Sequence, residues 1–139
     1  MQPNHSPQGW NRRRALARGL TDPAQAADLA VESVCRLNHL VERLQKVADV
    51  HTILGSLAAC LECMPQTLEG LTAYLVSQQA AGSLRRGDGG DVLERVSAVG
   101  AAMAEAHQGV SAAARALRRA QITLSDVYGP VSEEDGDGR

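Results

Sequence analysis

An unbroken apolar rhythm from Asp91 to Ser125 constrains this chain more than any other feature. Val92, Val96, Val99, Met103, Ala106, Val110, Ala113, Leu117, Ala120 and Leu124 recur at alternating steps of four and three, with no proline among them. Such spacing marks a heptad seam on one side of a long helix. At a rise of 1.5 Å per residue the helix would be roughly 50 Å long. Beside the seam stand Gly100, Ala102, Gly109, Ala114 and Ala116, where a two-stranded coiled coil usually carries charge. Small residues on both shoulders admit two neighbouring helices at once. An interior glycine costs up to about 1 kcal/mol against alanine, so Gly100 and Gly109 are expected where other backbones come close.

The side chains available elsewhere suit the same architecture. Hydrophobic residues make up 44% of the 139 residues, yet aromatic residues make up only 2% and Phe is absent. A core with so few rings is aliphatic and small-sided, which favours packed helices over a sheet. Arg and Lys number 14 against 16 Asp and Glu, a net charge of -2, so the chain as a whole is not built to coat a polyanion. No run of apolar residues is long enough for a transmembrane span, and none follows Arg12 to Arg14 that would make a signal peptide. The three cysteines are an odd number at spacings unlike a disulfide framework, which points to a reducing, cytoplasmic setting.

Residues 1–20 read as a flexible basic arm, broken by Pro3, Pro7, Gly9 and Gly19, with Trp10 beside the arginines. Arg12, Arg13, Arg14 and Arg18 are its candidate nucleic-acid contacts. Asp22 then suits an N-cap and Pro23 a first helical position. Ala27, Ala30, Val34, Leu37, Val41, Leu44 and Ala48 carry an apolar stripe onward, which predicts a helix over 23–48. The register shifts near Asp49, and a second helix is expected over 50–64, stopped by Pro65. A third is expected over 66–81 with Gly82 as its stop, and a fourth over 91–125. The glycines of the intervening 82–90 loop lack the lysine and the preceding strand of a phosphate loop. Residues 129–139 read as a disordered acidic tail. The expectation is therefore an all-α helical bundle of about four helices, one domain over 21–128. Its fourth helix is longer than either middle helix, so part of its seam protrudes and calls for a partner.

Reactive residues form few patterns. Cys35, His39, Cys60 and Cys63 are the one possible metal set, because three thiols and an imidazole suit tetrahedral zinc. Against it, zinc-binding Cys-x-x-Cys pairs usually sit on turns, whereas Cys60 and Cys63 fall in a helical stretch. No group marks an oxyanion hole beside a Cys–His pair, and the scattered carboxylates include no Glu-x-x-His motif, so neither an enzyme nor a cofactor is expected.

Met64-Pro65-Gln66-Thr67-Leu68, together with Gly87-Asp88-Gly89-Gly90-Asp91 ahead of an alanine-rich helix, resembles uncharacterised small helical proteins of high-GC actinobacteria. The resemblance covers roughly half the chain and implies a helical fold without implying an activity. The sequence leads to a non-catalytic helical interaction or assembly module that binds a protein partner or itself. Its expected interaction seam is Val92, Val96, Val99, Met103, Val110, Leu117 and Leu124 with Gly100 and Gly109. A nucleic-acid accessory role through the arginine arm and a thiol-based metal binder are the alternatives.

Overall fold

A computed structural model describes residues 22–127. These residues are all-α: α1 spans Pro23–Val41, α2 Val47–Ala80 and α3 Val92–Leu124. The chain divides into two compact units between Leu44 and Gln45, with α1 in the first and α2 and α3 in the second. The arginines at 12–14 and 18, Trp10 and the acidic tail lie outside the described residues.

The start of α1 follows its local chemistry. Asp22 Oδ1 accepts a hydrogen bond from the Ala24 N–H at 2.9 Å, and Pro23 takes the first helical position, where its missing donor is not needed. The helix ends at Val41, several residues before the expected 48. It buries no residue, and Leu29, Val31, Val34, Leu40 and Val41 are exposed.

The expected break near Asp49 falls instead between Val41 and Val47. Asp49 lies in the first turn of α2 rather than at its cap, where a carboxylate is stabilised by the positive end of the helix. The larger departure is at Pro65. Two helices were expected, 50–64 and 66–81, but one helix of 34 residues runs through the proline, so the described residues hold three helices rather than four. Pro65 has no N–H to give the Leu61 carbonyl, and its ring crowds the preceding turn. Burial on both sides of the proline outweighs that local cost: Leu61, Pro65 and Leu68 are all half-buried.

α2 and α3 form an antiparallel hairpin. At the end of α2 the Gly82 N–H donates to the Gln79 carbonyl and the Ser83 N–H to the Gln78 carbonyl, both at 3.0 Å. Gly82 has φ 69°, the left-handed value this closing motif needs, as its sequence position suggested. Arg86 then pairs with Asp88, whose other oxygen accepts from the Gly90 N–H at 3.0 Å. Asp91 Oδ1 caps α3 by accepting from the Leu93 N–H at 2.9 Å. At 34 and 33 residues the two helices are nearly equal, so the longer, protruding final helix expected from the sequence is not found.

Two rows of residues on each helix make the contact. On α2 they are Leu54, Leu61, Leu68 and Leu75, alternating with His51, Ala58, Pro65 and Thr72. On α3 they are Val96, Met103, Val110 and Leu117, alternating with Gly100, His107, Ala114 and Gln121. Ala58 and Ala114 are the only buried hydrophobic residues among those described, at 0% and 3% exposure. The branched and longer side chains around them are half-buried.

Two substitutions test this arrangement. Pro65→Ala is expected to restore the missing donor and raise unfolding free energy by about 1–3 kcal/mol, read from urea denaturation. Ala114→Leu is expected to force the helices apart and lower it by about 1–3 kcal/mol. A neutral Ala114→Leu variant would mean that the helices do not meet closely there.

Candidate interaction face

The hairpin has two unlike sides, fixed by the ion pairs that join its helices. On one side Arg118 Nε and Nη2 donate to Glu62 Oε1 and Oε2 at 2.7 and 2.8 Å, a two-pronged charge-assisted pair. Arg118 Nη1 also donates to Gln121 Oε1 at 3.1 Å. His107 Nδ1 lies 3.5 Å from Glu69 Oε1 on the same side. Arg118 therefore holds the Glu62 carboxyl below its ordinary value, and Glu62 raises the Arg118 guanidinium in turn. Both groups are well solvated, so the pair fixes register more than it adds stability. Around it, Pro65, Ser111, Ala114, Arg115 and Arg119 join Glu62 and Arg118 in lining a shallow depression whose floor is apolar and whose rim is charged.

Glu62 follows Leu61, and Arg118 follows Leu117: each polar residue comes one position after the large row of its helix. In an antiparallel pair, residues one position before the small row must then lie on the opposite side. There α2 presents Val50, Ile53, Leu57, Cys60, Met64, Leu71 and Tyr74, and α3 presents Val99, Ala102, Ala106, Gly109, Ala113, Ala116 and Ala120. Each set steps at three and four, with the polar but uncharged Thr67 filling the α2 position between Met64 and Leu71, a second seam roughly a quarter turn from the first. None of these positions carries a carboxylate, an amine, a guanidinium or an imidazole. Met64 is 44% exposed, Leu71 48%, Tyr74 62% and Val99 40%, and every one of the α3 residues is exposed.

The nine residues expected to form an interaction seam separate accordingly. Val92, at the head of the Val99 column, is half-buried in the first turn of α3, and Val96, Met103, Val110, Leu117 and Leu124 are half-buried along the α3 side of the hairpin contact. Gly100 is there too; a Cβ at this position would lie 4.0 Å from Thr72 Cγ2. Val99 and Gly109 lie instead on the exposed apolar side, and a Cβ at Gly109 would meet nothing within 4 Å. The alternating row of α3 is thus displaced by one residue from the rhythm of largest hydrophobicity. Gly100, His107, Ala114 and Gln121 face α2, while Val99, Ala106, Ala113 and Ala120 face outward. His107 and Gln121 can do so because their stems cover the seam while their polar ends reach Glu69 and Arg118. The second seam of α2 was hidden at the sequence level by the break expected at Pro65, which split its register into two short pieces.

Cys35, Cys60 and Cys63 are free and exposed, and among the described residues no three metal-ligating side chains converge. By length and composition alone, α2 is apolar enough to cross a bilayer, with a window of mean hydropathy 1.4. Glu62 and Glu69 sit in its middle, however, where an ionised acid costs about 2.5–3.5 kcal/mol. Comparisons with protein-family models, curated proteins and solved structures give no significant match.

The Glu62–Arg118 pair carries a pH signature. Because the folded Glu62 has a lowered pKa, its contribution is complete above the ordinary carboxylate range and is lost as pH falls through the lowered value. Replacing Arg118 with Ala should move the Glu62 titration upward, to its ordinary range, when followed by carboxyl NMR. An unmoved titration would separate the two groups.

Proposed function

We propose that the protein is a non-catalytic, helical protein–protein interaction and assembly module. The observation that supports this most is the uncharged apolar side shared by α2 and α3, left exposed while their contact buries only two alanines. Scattered surface leucines are ordinary, but a contiguous apolar strip running along two neighbouring helices marks a place for a partner. Such a strip has the form by which amphipathic helices associate: an apolar seam flanked by polar rims. The odd number of cysteines, at spacings unlike a disulfide framework, supports a reducing, cytoplasmic setting for this module.

The test introduces charge into the strip. The chain carrying Met64→Glu together with Leu71→Glu should keep its helix content, since both side chains lie off the hairpin contact. In an extract of the cells that make it, the unsubstituted chain should elute in size-exclusion chromatography as a species larger than 14.7 kDa. The doubly substituted chain should lose that species, because an unpaired carboxylate in an apolar interface costs several kcal/mol. An elution profile unaffected by the two substitutions would end the proposal.

A further inference from the structure

We infer that the occupant of the apolar side is a second copy of this chain, placed so that α2 of each copy lies over α3 of the other. This deepens the reading above and rests on it. The two halves of the strip differ in relief. The α2 half is a ridge of large side chains, including Leu57, Met64 and Leu71. The α3 half is a trough of small ones, including Ala106, Gly109 and Ala113.

A two-fold axis parallel to the helices exchanges left and right without reversing direction. It sets ridge into trough twice over, as a closed, self-complementary interface requires. A two-fold axis across the helices would instead set ridge on ridge and leave a gap between facing alanines. Size agrees with this choice. From Val99 to Ala120 the strip runs for roughly 30 Å at 1.5 Å per residue. With neighbouring helix axes 8–10 Å apart it is about 20 Å wide. That gives each copy roughly 600 Å² of projected face, near the lower bound for a specific dimer. No charged side chain has to leave water to form it.

The geometry yields a cross-linking test because Cys60 is a native thiol on the ridge. Glu62 faces Arg118, Glu69 faces His107 and Gly100 lies against Thr72, which together put Cys60 level with residues 112–120, with Ala116 at the middle of that stretch. Across the proposed dimer, Cys60 of one copy meets that stretch of the other. The full chain would carry Cys35→Ser and Cys63→Ser, with either Ala113→Cys or Ala116→Cys added. Mild oxidation should give a covalent dimer with at least one of these, at least tenfold faster than with Ser111→Cys on the polar side. The purified, unsubstituted chain should sediment at twice its 14.7 kDa mass at micromolar concentration.

A covalent dimer forming as fast through Cys60 alone would set α2 on α2 and overturn the arrangement. A purified chain that sediments as a monomer would overturn the second copy itself. If the large species in cell extract still disappears on charging Met64 and Leu71, the interaction reading stands and a different protein is the occupant. If neither result appears, both readings fall.

Discussion

The close approach of α2 and α3 at Ala58 and Ala114 determines what the rest of the hairpin can be. Methyl groups at the contact bring the backbones near each other, but they remove little apolar area from water. Leucine, valine and methionine on either side are therefore covered only in part. Stability must then come from repetition: the same modest contact recurs along nearly the whole of two helices of 34 and 33 residues. Length takes the place of girth. This is also why a proline in mid-helix is tolerated, since breaking the helix at Pro65 would forfeit half of the repeated contacts for one missing hydrogen bond.

A two-helix layer has two outer surfaces, and these carry different chemistry. Glu62, Glu69, His107 and Arg118 bridge the helices on one of them and fix which residues are level. The other has no bridging polar group and presents leucine, methionine and tyrosine beside alanine and glycine. The same seam thus divides an ion-paired surface from an apolar one. An ion pair between exposed groups adds little to stability. Its worth here is directional: sliding the helices by one turn would separate Arg118 from Glu62 and misalign both strips.

Much of the helical character was legible in the sequence. The Asp22-Pro23 start, the Gly82 stop, the Asp91 cap and the half-buried row Val96, Met103, Val110 and Leu117 follow from local rules that packing does not override. What escaped was decided at longer range. Pro65 reads as a terminator because its cost is local, whereas the burial that outweighs it is spread over many turns. Val99 reads as a seam residue because α3 has two good stripes; hydropathy cannot rank a valine turned outward below a glycine turned inward. The apolar side of the hairpin had one visible trace, the small residues on both shoulders of the last helix. Gly100 and Ala114 on one shoulder meet α2, while Ala102, Gly109 and Ala116 on the other stay exposed.

The tight corner between Gly82 and Asp91 also bears on how the hairpin forms. Residues just either side of it are close in the chain, so their contacts need only a short loop to close. Pairing begins most cheaply there and spreads outward like a zipper, each new turn costing little further closure entropy. The opposite end, where Gly55 stands against Gln121, is joined last and comes apart first. Amide protons should thus exchange with solvent along a gradient, slowest beside the corner and fastest at the open mouth.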